Sequence, residues 1–502
     1  MDTGLTYGII LSMQIYGYTL PQVPERQGWI KVGQAQDSDK RIKEQIGATW
    51  LDYEKVFDQS ALAGKRNVSD HDVHRLLVER GFERLEREWF RCNPDDVQSA
   101  LDFLKQKYIN EDKRQELGDK FYEELRNWYF WATEEKFQGT FQREHDTDHA
   151  LRMIVRLLLI CFLQEKELVP RELFDEDWIN ANLKENEEHS YYQAILYNLF
   201  FYSLNTPQEN RGELENRKLM THYNKVKDQL HKRIPFLNGG LFNKHPGDDF
   251  ALSNQYFFSG LRTVTLKELG GRYGVKGLVT ILKSYKYTLD ETDDTEYIDP
   301  EFIGKTFECL LACIDADNKQ SRRKVTGSYY TPREIVDYMV NEALDMYANQ
   351  SRNRKIANVD SQSYDSGSEF DENLLLRCAI LDPACGSGAF PCGVMNSIMK
   401  RIDPNKTLSQ SKRYDKKLEI LRNVIYGVDI QPMAVQITVL RLFLSMLQEI
   451  KPNPKAENFG ISPLPNLDYK FVVANSLIGI NVQDLFFQEY RTKFAQLMDL
   501  KK

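Results

Sequence analysis

Apolar and polar positions alternate most legibly in the last third of the chain. Ala379-Ile380-Leu381 is a short apolar run that reads as a buried strand, and it ends in a turn carrying Gly386 and Gly388. Residues without Cβ let backbone N–H groups come close to a ligand, so this turn reads as a cofactor loop, with an ordinary tight strand-to-helix turn as the alternative. Asn423-Val424-Ile425-Tyr426-Gly427-Val428-Asp429-Ile430 reads as a second strand, Pro432 to Leu447 as an apolar-faced helix with Arg441 as its main charge, and Leu467 to Leu477 as a third strand. Upstream, from about 109 to 320, apolar residues recur at helical spacing with many aromatics, among them Phe121, Tyr122, Trp128, Tyr129, Phe130 and Trp131. Such rings can stack on bases, but at this spacing they read as core. Residues 15 to 92 have a different texture. Ile15 to Leu20 and Gly28 to Gln34 read as β-rich stretches, a polar helix begins near Asp37, and a second helix covers Asp70 to Leu77.

These patterns predict an α/β and α protein in three parts: a small α/β module at 1–108, a helical connector at 109–320 and a Rossmann-like cofactor-binding domain at 321–502. A length of 502 residues suits about that many domains. Residues 351 to 373, rich in Ser, Asn and Asp, read as a mobile insertion. With 41% hydrophobic and 28% charged residues and no long apolar run, a membrane span is not expected. The start Met1-Asp2-Thr3-Gly4 lacks a basic n-region, which predicts a cytoplasmic protein.

Seven scattered cysteines fit reduced thiols. Cys309 and Cys313 have helical spacing without a second pair or a histidine nearby, so they read as core and not as a zinc site, and His145 and His149 read as structural too. A net charge of −8 speaks against wholesale wrapping of nucleic acid, yet it leaves room for a local basic groove.

The chemistry centres on two acids. Asp382 stands at the carboxyl end of the first predicted strand, where open α/β sheets place ligands, and can meet a cationic or amine-bearing group. Asp429 ends the second strand, 47 residues later, and suits a ribose diol. The string Leu381-Asp382-Pro383-Ala384-Cys385-Gly386-Ser387-Gly388-Ala389-Phe390 resembles the S-adenosylmethionine loop of N6-adenine DNA methyltransferases, and Gly427-Val428-Asp429-Ile430 resembles their ribose-binding strand. Thr326 to Val336, with Tyr329-Tyr330-Thr331-Pro332 inside it, matches the motif that precedes the loop in the gamma-ordered members. The resemblance implies S-adenosylmethionine as cofactor, held by Tyr330, Thr331, Asp382, Ala384, Cys385, Gly386, Gly388, Asp429, Ile430 and Asn475. Asn475 stands where the family often has aspartate, and an amide still bonds an adenine edge.

Tyr16, Lys31, Arg41, His74 and Glu88 supply the residue types that phosphodiester cleavage needs: a base, a cation over the phosphate and a carboxylate for a metal. Their spacing resembles the GIY-YIG nuclease superfamily, which implies Glu88 as the ligand of a magnesium ion and Arg41 as the phosphate-facing arginine. Lys31 stands where most members have tyrosine. The alternative is a small domain with ordinary surface charges. Arg156 to Lys166, Tyr197 to Pro207, Ile234 to Phe242 and Asp299 to Glu308 resemble the helical connector of type IIG restriction-modification proteins.

Together these resemblances imply a site-specific adenine DNA methyltransferase of a restriction-modification system, with a possible linked endonuclease and double-stranded DNA as substrate. One element departs from the pattern. The family holds the flipped adenine with Asn-Pro-Pro-Tyr or Asp-Pro-Pro-Tyr after the third strand, and neither tetrapeptide occurs in the 502 residues. The expectation is therefore a natural split protein or a truncation that needs a separate methylase and target-recognition chain for turnover. A noncatalytic DNA-binding or regulatory remnant that keeps S-adenosylmethionine as an effector is the second reading, and a small-molecule methyltransferase the third.

Overall fold

The computed structural model describes residues 12–478 except 50, 87, 135–142, 186, 238–239, 246, 250, 291–295, 315–330 and 358–371. The chain divides into two compact units, one of residues 1–120 with 292–296 and one of 121–291 with 297–502.

The first unit is built on strands β1 (Gln14–Thr19), β2 (Ile30–Ala35), β3 (Glu54–Ser60), β4 (Leu62–Ala63), β5 (Arg66–Asn67), β6 (Arg84–Leu85) and β7 (Trp89–Phe90). Five of them form one sheet in the order β3-β1-β2-β7-β6. The alternation along β1 sends Ile15 to a core shared with Ile30, Val32 and Phe57, and sends Tyr16 and Tyr18 to the opposite face with Trp29, Ile42 and Trp89. Two helices follow from capped starts: α1 (Ser38–Ile46), where the Asp37 side chain accepts from the Lys40 N–H, and α2 (Asp70–Glu79), where Ser69 accepts from that of Asp72. Helix α3 (Pro94–Glu134) opens with Pro94 and two acids in its first turn, and Val97, Leu101 and Leu104 join the Ile15 core. The boundary between the units falls within α3.

The second unit begins with helices α4 (Arg143–Glu165), α5 (Glu176–Asn182), α6 (Tyr223–Lys232), α7 (Gln255–Phe258) and α8 (Leu278–Lys283). Met153 to Leu163 of α4 are buried on every side, which is why the sequence there is apolar almost throughout. The aromatic cluster is core, as its spacing implies: Trp128, Tyr129 and Trp131 are buried, and the Trp128 indole donates to the Tyr256 carbonyl at 2.7 Å. An all-helical connector is not what forms, however. β8 (Arg262–Leu266) and β9 (Gly271–Val275) make an antiparallel hairpin, favoured by Thr263-Val264-Thr265 on one side and by Gly270 at φ +66 before the return strand. β10 (Lys286–Tyr287) and β11 (Tyr297–Ile298) pair in parallel.

Helices α9 (Pro300–Ile314), α10 (Arg333–Ala357) and α11 (Glu372–Leu376) lead to a three-stranded parallel sheet, β12 (Ile380–Asp382), β13 (Ile425–Asp429) and β14 (Phe471–Val473), in that order. The crossovers contain α12 (Ala389–Ile402) and α13 (Gln410–Asn423), then α14 (Pro432–Gln448). Two expectations change here. Residues 351–357 continue helix α10 and do not belong to a mobile insertion, while 358–371 lie outside the described residues. β12 is an edge strand among the described residues and its Leu381 side chain is 60% exposed, so the first apolar run is not buried. Connector and sheet are joined by hydrogen bonds: the Lys166 ammonium donates to the carbonyls of Gln448 and Ile450, and the Asn458 amide pairs with the N–H and the carbonyl of Phe236.

Candidate functional sites

In the first unit the face bearing Tyr16 and Tyr18 gathers four of the five nuclease candidates. Lys31 lies opposite Tyr18 across the β1–β2 ladder, and its ammonium pairs with the Glu88 carboxylate at 3.1 Å. Gly33, opposite Tyr16, leaves the space taken by the Tyr16 hydroxyl, which lies 2.6 Å from where a Cβ would be. Burial raises the Tyr16 pKa above that of an ordinary phenol, and the guanidinium of Arg41 works in the opposite direction. Arg41 itself is exposed on α1 and pairs with Glu44 at 3.6 Å. His74 stands apart in role: its ring is buried, and its Nε2 donates to the Val32 carbonyl at 2.8 Å, pinning α2 to β2. Burial lowers its pKa, so the ring is held neutral. Tyr18 is a member of the cluster that residue types did not single out. It stacks near Tyr16 with centroids 6.5 Å apart, lies under the Lys31 ammonium at 5.9 Å, and has a hydroxyl pKa pushed up to about 12 by burial, Tyr16 and Glu88. Its position two residues after Tyr16 on one strand was the available signal.

In the second unit Asp382 and Asp429 are the last residues of neighbouring parallel strands, and Asn475 follows β14 by two. All three stand at the carboxyl ends of the strands, the ligand position of open sheets. Between β12 and α12 the loop is held through its backbone. The Gly386 N–H donates to Asp429 Oδ2 at 2.9 Å, Thr438 Oγ1 to the Gly386 carbonyl at 2.8 Å, the Arg441 guanidinium to the Ser387 carbonyl at 2.8 Å, and Cys385 N–H to the Val428 carbonyl. Gly386 and Gly388 have φ of +52° and +86°, and a Cβ on Gly388 would meet Thr438 Oγ1 at 2.9 Å. Only glycine fits the second position. Asp382 Oδ1 accepts from the Ala384 N–H at 3.1 Å, while Oδ2 is buried with no hydrogen-bond partner among the described residues. Burial raises the Asp382 pKa, the Ala384 N–H works against this, and the nearby Asp429 adds to it. Cys385 is a buried thiol whose pKa is pushed up to about 12 by burial and by both acids.

Ile430 is exposed beyond Asp429, Thr331 precedes α10, and Tyr330 lies outside the described residues. The Asn475 side chain accepts from the Leu477 N–H at 3.0 Å, shaping its own turn.

Residues 299–476, which contain every element of this loop, match the family model N-6 DNA Methylase. The chain carries an N-6 DNA methylase domain. Residues 14–105 match the T5orf172 domain. A protein of Methanocaldococcus jannaschii named as a type II restriction enzyme and methyltransferase is 30% identical over 355 residues, covering 66% of this chain. The chain spans only 27% of that relative's length. The solved structure of the type IIL restriction-modification enzyme MmeI in complex with DNA is similar at 18% identity and a TM-score of 0.39, over 73% of this chain and 41% of MmeI. Within the N-6 DNA methylase domain, reasoning on residue types missed Glu308 and Thr438 and noted Arg441 only as the main charge of its helix; none of the three lies in the loop. Glu308 closes the Asp299–Glu308 string, so its signal was present without a role attached. No helix among the described residues is long and apolar enough to cross a membrane.

Proposed function

We propose that the chain is the cofactor-binding and nuclease-like portion of a restriction-modification protein that methylates N6 of adenine in double-stranded DNA. The observation that carries this reading is the loop at Asp382: a glycine turn of fixed shape, an unpartnered buried carboxylate oxygen, and a second acid at the next strand end. These fit S-adenosylmethionine, whose cationic methionine end suits Asp382 Oδ2 and whose ribose suits Asp429. When bound, S-adenosylmethionine supplies an electrophilic methyl group. The protein's share is to bind and orient. Gly386 and Gly388 admit the ligand close to the backbone, Asp429 holds the loop's N–H while facing the ribose position, and Asn475 lines the adenine side.

The first unit we read as a GIY-YIG-like nuclease. Arg41 faces the phosphate, the Lys31–Glu88 pair and the Tyr16 hydroxyl lie on the same face, and His74 holds the scaffold. Magnesium would be held by Glu88 with phosphate oxygens and water, since no three metal-ligating side chains cluster among the described residues. Transfer of the methyl group further requires acceptors that position the adenine amino group, worth roughly 7–11 kcal/mol as proximity and orientation. We assign these to an Asn-Pro-Pro-Tyr-type motif that residues 1–502 do not contain.

Two measurements test the reading. Calorimetry on the purified chain is expected to show one S-adenosylmethionine site that Asp382→Ala weakens; equal affinity in both proteins overturns the assignment. Magnesium-dependent nicking is expected to disappear in Glu88→Ala with cofactor affinity intact, and cleavage persisting in that variant refutes the nuclease role.

A further inference from the structure

The loop's Ser387 points away from the ligand side and into the protein, where helix α9 receives it. Ser387 is buried; its hydroxyl donates to Glu308 Oε1 at 2.6 Å, and its N–H donates to the same oxygen at 3.4 Å. One turn earlier on the same face stands Gly304, where a Cβ would lie 2.6 Å from Arg441 Nη1 and 3.1 Å from Ser387 Oγ. Any side chain there would push both groups out. Gly304 and Glu308 thus form a seat one helical turn long, and Arg441 closes it by holding the Ser387 carbonyl.

A carboxylate is a costly choice for that seat. Glu308 Oε2 is buried without a hydrogen-bond partner among the described residues, and burial raises the Glu308 pKa against the lowering effects of Ser387 and Arg441, with Asp429 adding repulsion. Packing alone would be better served by a neutral residue. What the carboxylate adds is one oxygen strong enough to accept from both the N–H and the hydroxyl of Ser387, which fixes the peptide between Gly386 and Gly388 from below.

We propose that Glu308 is a positioning residue of the cofactor loop, acting through Ser387, so that helix α9 is a working part of the cofactor site. This rests on the reading of that loop as the S-adenosylmethionine site. The test uses the full chain with Glu308→Gln, Glu308→Ala, Ser387→Ala and the double variant E308Q/S387A. S-adenosylmethionine dissociation constants come from calorimetry, melting temperatures from calorimetric scans, and amide exchange at residues 385–388 from cofactor-free protein. Glu308→Ala is expected to weaken binding by about tenfold or more and to speed exchange at Ser387, and Glu308→Gln, which keeps an acceptor oxygen, to recover part of both. The melting temperature of Glu308→Gln is expected to stay level or rise while its affinity falls. The double variant should bind no worse than the weaker single one, since both single changes act on the same Glu308–Ser387 contact. A Glu308→Gln protein that loses stability and affinity in parallel, or variants with unchanged exchange and unchanged affinity, overturn the proposal. If the parent chain fails to bind S-adenosylmethionine, the cofactor reading falls; exchange at Ser387 still decides whether Glu308 seats the loop.

Discussion

At the scale of single residues the loop is a set of acids with divided duties. Asp429 accepts from the N–H groups of Gly386 and Gln431 at 2.9 Å each, so it shapes the turn beside the strand end. Asp429→Ala is therefore expected to cost roughly 1–3 kcal/mol in S-adenosylmethionine affinity, measured by calorimetry. Asp382 and Glu308 have pKa values raised by burial. For an acid of that kind, the folded state is favoured below the ordinary carboxylate range and loses that advantage as pH rises through the raised value. A cationic ligand favours the ionised forms, so the two trends oppose each other. Cofactor-free protein should melt lower as pH climbs through this window, S-adenosylmethionine should bind more tightly over the same interval, and Asp382→Asn should flatten both curves. An affinity that does not change as pH rises above the ordinary carboxylate range would contradict this arrangement.

Secondary-structure elements were legible wherever the local pattern and the tertiary setting agreed. β1, β2, β13 and α14 stand where alternation, caps and a proline start place them, since each packs as its own sequence asks. The β8–β9 hairpin escaped because a five-residue strand in a helical neighbourhood carries too little periodic signal to outweigh its surroundings. The site divides in the same way. Loop glycines and strand-end acids are local signals, whereas the seat made by α9 and α14 is a contact over roughly 80 and 50 positions of chain that no spacing rule encodes. A comparable long-range cluster holds the connector. Asp248, fully buried, takes hydrogen bonds from His149, Arg152 and Arg156, the last at 2.9 Å, and although burial opposes it, His149 and Arg156 hold its pKa well below the usual range. Removing it takes the shared carboxylate from two buried guanidinium groups, of which Arg156 keeps the Leu241 and Asn243 carbonyls. Asp248→Ala should lose about 3–5 kcal/mol in denaturant unfolding, and a loss under about 1 kcal/mol would show the cluster to be dispensable.

For the molecule as a whole, cofactor binding and methyl transfer are two separate measurements under the proposed function. Labelled methyl groups should enter adenine of mixed-sequence DNA only when a separately expressed polypeptide carrying Asn-Pro-Pro-Tyr is added, and robust labelling by the chain alone would place the acceptors within it. The parallel sheet leads to a consequence for handling the protein. Parallel sheets are ordinarily covered on both faces, yet Leu381 and Val472 lie exposed on one face of β12-β13-β14, and the β12 edge is unpaired among the described residues. An uncovered strand edge beside apolar side chains is a template for another backbone. Light scattered per unit mass should rise with concentration, a hydrophobic dye should bind, and a lysine at position 381 should lower both, which makes colloidal behaviour a gauge of how far that sheet is covered.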